Sequence, residues 1–157
     1  MEYRILSSCA AVLLCAGSAM AAGKLEKNPY GVCSHWNWTP VNEVVREAAQ
    51  AEQMGARWIR GDFNWNIFEK KPGEWNFSQA DQIVKIAREH RLSILPILDF
   101  QPKWRYPAWK HPDAWADFVR RIVTRYRNDL RYWEVWNEED GTTFWPENPG
   151  PTTYVPF

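Results

Sequence analysis

The sequence predicts an α/β fold of the (β/α)8 TIM-barrel type, of which it holds about the first four βα units. Three observations carry this. Strand-like runs alternate with helical patterns in the order β-α-β-α-β-α-β, with strands roughly 26 to 38 residues apart, the rhythm of βαβ units around a parallel sheet. One run, Leu92 to Phe100, is almost continuously apolar, as expected of a strand covered on both faces. The fourth run, Arg131-Tyr132-Trp133-Glu134-Val135-Trp136, ends abruptly in Asn137-Glu138-Glu139-Asp140, and the C-terminal ends of parallel strands are where barrel enzymes keep their chemistry. A doubly wound sheet would carry a glycine-rich loop after its first strand, and Ser34-His35-Trp36-Asn37-Trp38 has no glycine.

In chain order, Tyr30 to Trp36 forms the first strand. Thr39-Pro40 then starts a helix, with Thr39 as N-cap and proline at the first helical position. Its stripe is Val41, Val44, Val45 and Ala48, and it stops at Met54-Gly55. The second strand, Arg57 to Phe63, closes on charged residues and leads into a long loop through Trp65 and Trp75. Ser78 and Asp81 resemble a capping box ahead of a helix whose stripe is Ala80, Ile83, Val84 and Ala87. Pro96 interrupts the third strand and predicts a local irregularity, because proline cannot donate to the ladder. Pro112 opens a third helix with Trp115, Phe118, Val119, Ile122 and Tyr126 on one face.

Residues 1–22 read as a secretory signal peptide: Arg4, an apolar run from Ile5 to Cys15, and a small-residue end cut after Ala21 or Ala22. That run is too short to span a bilayer, so no stable membrane insertion is expected, and the mature chain, residues 23–157, is placed in the periplasm or outside the cell. Cys9 and Cys15 leave with the leader. Cys33 then has no disulfide partner and is read as a small buried hydrophobe. The 19 basic and 19 acidic side chains cancel, which argues against a nucleic-acid partner. Eleven tryptophans in 157 residues are several times what an average domain carries, and any one of them is read first as core, although an indole face suits sugar stacking as well.

Trp136-Asn137-Glu138 at the end of a fourth strand resembles the Trp-Asn-Glu signature of clan A glycoside hydrolases. The segments Trp65, Phe68-Glu69, Pro72-Gly73-Glu74-Trp75-Asn76-Phe77 and Leu98-Asp99-Phe100 are similar to family 39 and related β-xylosidase-like or cellulase-like members. The resemblance implies a glycosidase that needs no cofactor and no metal and acts on an oligosaccharide or polysaccharide. It implies Glu138 as general acid/base, Asn137 on the sugar 2-hydroxyl, and Arg60 as support for the catalytic carboxylates. His35, Trp36, Trp65, Trp104, Trp136 and Trp145 are the candidate substrate-binding residues. Glu139 departs from the usual proline.

A retaining hydrolase needs two carboxyl groups about 5 to 5.5 Å apart. Glu139 and Asp140 adjoin Glu138 and cannot take the opposite side of a sugar. Glu134 lies on the same side of the strand but about 13 Å deeper, and is read as an interior ion-pair partner of Arg60 or Arg57. The nucleophile of the clan, a Glu on the seventh strand, has no counterpart here. A complete barrel takes about 250 residues, so the chain reads as a truncated N-terminal half. Two readings follow: a retaining hydrolase of β-linked glycans represented by its acid/base half, or an inactive half-barrel that binds carbohydrate or a partner chain. Open edges on the first and fourth strands predict self-association.

Overall fold

The computed structural model describes residues 28–145 and the backbone of Ala11–Leu14. In chain order the elements are β1 (Ala11–Leu14), β2 (Gly31–Cys33), α1 (Val41–Gln53), β3 (Trp58–Asn64), α2 (Trp65–Phe68), β4 (Glu69–Lys71) and β5 (Glu74–Trp75). They continue with α3 (Ser78–Glu89), β6 (Ser93–Asp99), α4 (Pro112–Tyr126) and β7 (Tyr132–Val135). β2, β3, β6 and β7 pair parallel in that order, with Cys33 opposite Arg60, Asn64 opposite Asp99 and Ile97 opposite Glu134. Strands adjacent in sequence are adjacent in the sheet and α1, α3 and α4 connect them, so the described residues form the first part of a parallel barrel.

The helical stripes expected from the sequence are buried except at Val45, which is 44% exposed, and at Val41 and Val119, which are partly buried. Val44 and Ala48 of α1, Ala80, Ile83, Val84 and Ala87 of α3, and Trp115, Phe118 and Ile122 of α4 pack in one core with Ile59, Phe63, Ile94 and Leu98 of the strands. Gly55, with φ +80, ends the first helix in a conformation costly for other residues. The aromatic residues concentrate between the sheet and α4. There the Trp65 ring stacks on Phe118 at 5.5 Å, and Trp115 meets Trp65, Phe118 and Trp136. Six tryptophans, Trp36, Trp65, Trp115, Trp133, Trp136 and Trp145, are buried, so packing accounts for most of the unusual tryptophan content.

Several local expectations give way to longer-range contacts. Pro40, not Thr39, precedes the first turn of α1, and the Thr39 hydroxyl donates back to the His35 carbonyl at 3.0 Å. The Ser78–Asp81 capping box is not formed. Phe77 occupies the cap position, and the Asp81 carboxylate accepts from Arg125 Nε and the Tyr126 hydroxyl at 2.8 and 2.9 Å. A charged guanidinium together with a phenol hydroxyl outcompetes one local backbone N–H. The long loop after β3 contains α2 and the β4–β5 hairpin, turned at Gly73 with φ +78. Cys33 is exposed rather than buried.

β6 runs through Pro96 without a break, with Gly61 opposite Pro96. The Trp136 N–H donates to the Leu98 carbonyl at 2.8 Å. Leu98, and by alternation Pro96, therefore directs its backbone polar groups toward β7. β7 pairs with β6 only from Ile97 onward, so the N–H that proline lacks falls where the ladder has not begun.

The far edge of β7 is not open: Ala11–Leu14 lies along it antiparallel, Ala11 opposite Val135 and Leu14 opposite Tyr132. An unpaired row of N–H and C=O groups is a template for any extended apolar segment. The rest of the leader, the cleavage site and residues 146–157 lie outside the described residues, so export and processing remain sequence expectations.

Gly61 is required by close approach. A Cβ there would stand 2.4 Å from the Ser34 carbonyl oxygen, which is backbone and has no rotamer to escape into. Gly61→Ala is expected to destabilise by about 1–3 kcal/mol, read as a lowered urea midpoint; an unchanged midpoint would show that β2 can move away.

Candidate functional site at the C-terminal strand ends

Strand alternation creates an interior polar stripe. Arg60, Asp62 and Asn64 lie at i, i+2 and i+4 on β3 and share one face, while Ile59 and Phe63 turn to the core. Asp99 is brought beside Asn64 by register, and Glu134 enters from β7. Arg60 Nε donates to Glu134 Oε2 at 2.8 Å, and Arg60 Nη2 donates both to Glu134 Oε1 and, at 2.8 Å, to Asn137 Oδ1. Arg60, not Arg57, is therefore the partner of Glu134, whose side chain is only 6% exposed. The hydrogen bonds to Glu134 hold the guanidinium pKa above its ordinary value against the opposing effect of burial.

The same guanidinium orients the Trp-Asn-Glu turn. β7 ends at Val135, one residue before the signature. A regular strand would put Trp136 on the face of Glu134. Instead Trp136 has φ +64, its indole packs edge-on to Trp145 at 4.7 Å, and its N–H donates to the Phe144 carbonyl at 2.9 Å. The flip at Trp136 breaks the alternation and gives Asn137 the inward position. Glu138 follows with φ +53 and an exposed side chain. Phe100, immediately after β6, is a third residue in this unfavourable region, with φ +43. Strained non-glycine backbone gathered at the ends of adjacent strands is a pattern met at functional sites.

Beside this arrangement lies a second polar network that the residue-by-residue reading of the sequence did not assign. The Asn64 Nδ2 donates to Asp99 Oδ1 at 2.7 Å, and the Asn64 Oδ1 accepts from Asn37 Nδ2 at 3.2 Å and from the Trp38 indole N–H. Asp99 Oδ2 has no N–H donor, and its neighbour is the Asp62 carboxyl. Burial first, and then the charge of Asp62, push Asp99 up to about 9. It is thus a neutral acid at pH 7, able to donate to Asp62. Asp62 in turn shares a 2.8 Å hydrogen bond with His35 Nδ1. The signal was present as polar residues two apart in Arg60-Gly61-Asp62-Phe63-Asn64; only the register shows that they meet Asp99.

Of the residues expected to bind substrate, His35 is at the strand ends with its side chain 71% exposed. Trp104 is partly exposed in the loop after β6. Trp36, Trp65, Trp136 and Trp145 are not sugar platforms, because all four are at most 3% exposed. Trp36 donates to Glu47 of α1 at 2.9 Å and Trp65 to Glu69 at 2.8 Å. Among the described residues no cluster of His, Cys, Asp or Glu has metal-binding geometry, and no helix is long and apolar enough to cross a membrane.

With this geometry in place, known structures of the same shape are informative. The chain superposes on a β-galactosidase from the psychrophile Marinomonas ef1 with TM-score 0.65 and 20% identity over 73% of this chain and 22% of that one. It superposes on the exo-β-1,4-mannosidase Op5Man5 of Opitutaceae bacterium strain TAV5 with TM-score 0.59 and 19% identity, over 72% and 25% of the two chains. The described residues share the fold of part of these (β/α)8 barrels. In sequence, the chain is 31% identical to endo-1,4-β-xylanase 3 of Hypocrea jecorina over 91 residues, 50% of this chain. It spans only a quarter of that xylanase's length. No protein-family model matches the chain. The parallel barrel expected from the sequence is thus supported at the level of fold, and neither the clan nor family 39 is singled out.

Proposed function

We propose that this chain carries the acid/base side of a retaining glycoside hydrolase site for β-linked glycans, in an exported protein related to family 39. The observation that carries the reading is the grip of Arg60 on both Glu134 and Asn137. It fixes the turn after β7 so that an amide faces the barrel interior and the next residue, Glu138, presents a carboxyl at the mouth. Asn137 Nδ2 is then the donor for a sugar 2-hydroxyl, since its Oδ1 is already held by Arg60. Glu138 protonates the leaving oxygen, and in the second half of the reaction accepts a proton from the incoming hydroxyl. Similarity to a xylanase supports a β-linked pentose or hexose polymer as substrate.

A second reading, carbohydrate binding without hydrolysis, is favoured by one observation. Among the described residues no carboxylate is free to attack opposite Glu138: Glu134 is ion-paired, Asp62 is engaged by His35, and Asp99 is neutral. The decisive assay is therefore the half-reaction that needs only the acid/base. An α-xylosyl fluoride has the anomeric configuration of the glycosyl–enzyme. When an aryl β-xyloside hydroxyl attacks it, the C–F bond breaks, fluoride leaves, and Glu138 takes the hydroxyl proton. Glu138→Gln is expected to lower fluoride release by about 100-fold or more. Equal release by both proteins, with oligosaccharide still bound, would replace the catalytic reading by the binding one.

A further inference from the structure

Trp38 is the exposed aromatic residue that the fold holds in place. It follows β2 in the 3-10 turn Trp36–Trp38, and its ring is 62% exposed. An exposed indole normally loses nothing by moving. Here its N–H is fixed by Asn64, a fully buried amide that is itself tied to Asp99 and Asn37. Its ring stands 6.2 Å from His35 and 6.5 Å from Phe100. His35 is held by Asp62 through Nδ1, which leaves Nε2 as a polar tip beside the indole. Asn37 Oδ1, 2% exposed, has no donor. A buried polar network spent on presenting one apolar face to solvent, with a polar tip at its edge, matches a pyranose ring: C–H groups on the flat face, hydroxyls around the rim.

Trp38 and Glu138 stand at different strand ends, β3 and β6 lying between β2 and β7 in the sheet. We infer that Trp38, fixed by Asn64 and flanked by His35, is a stacking subsite for a sugar residue of a β-linked glycan. The inference rests on the glycan reading above but not on catalysis. It makes Trp38 and His35 contributors to glycan affinity that the proton transfer at Glu138 does not itself require.

The test is titration calorimetry of the full chain carrying Glu138→Gln, which binds without turnover, against xylopentaose and cellopentaose. Adding Trp38→Ala is expected to raise Kd by about tenfold or more with an unchanged melting curve, while Trp38→Phe, which keeps a ring, loses less. Equal Kd with and without Trp38→Ala, or no binding of either probe by the parent, would overturn the subsite. Should fluoride release prove independent of Glu138 while Trp38→Ala still weakens binding, the catalytic reading fails and the subsite stands.

Discussion

Asp99→Asn is expected to remove a downward slope in stability between about pH 4 and pH 9. The sign follows from the direction of the shift. Burial and Asp62 raise Asp99 from its ordinary value of 3.8 to about 9, so between those values the folded chain keeps a proton that the unfolded chain has released. Stability then falls as pH rises, by up to about 1.4 kcal/mol per unit, and the loss is complete once pH passes the folded value. Asparagine is isosteric and neutral at every pH, can accept from Asn64, and can donate to Asp62. Urea midpoints measured across this range should fall for the parent and stay nearly level for the variant, which overtakes it by several kcal/mol near pH 8. Parallel slopes would mean that Asp99 is ionised in the folded state.

Arg60→Met should produce the second large effect. It leaves Glu134, 4% exposed, without its cation and takes the donor from Asn137. Breaking one partner of a buried pair strands the other charge, and a loss of about 2–4 kcal/mol is expected. The figure is below the fully buried limit because 36% of the Arg60 side chain meets solvent. Arg60→Lys should not restore it, since an ammonium cannot span both Glu134 oxygens as the guanidinium fork does. Adding Glu134→Met to Arg60→Met should recover much of the stability, because no charge is then buried alone. Fluoride release should nevertheless remain impaired, since Asn137 is no longer held. Recovery of both together would assign Arg60 to folding alone.

Much of the framework was legible because it depends on local periodicity. The helices α1, α3 and α4 follow from apolar stripes, and the parallel sheet from strand spacing and a doubly buried third strand. That Glu134 pairs with an arginine of the second strand was legible too, from the rule that alternate strands share an interior layer, but the choice of Arg60 over Arg57 came from the structure. The fate of the candidate tryptophans was not legible. Trp65, Trp136 and Trp145 sit after strands as a platform would, but Trp115 of α4 packs on Trp65 and Trp136, Phe118 stacks on Trp65, and Trp145 packs on Trp136. No pattern local to the loops announces that helix.

By itself the sequence determined the order of elements, the barrel class, and the strand end on which Glu138 stands, because each is written in residues close together along the chain. Tertiary structure alone decided which way the signature turns and which polar groups are charged. The reversal at Trp136 exists because its indole is captured by Trp115 and Trp145 while Arg60 holds the Asn137 amide. Asp99 is neutral because register places it, buried, against Asn64 and Asp62. Both are consequences of what residues many positions away bring to the same point, where desolvation and packing outweigh the local preference of the chain.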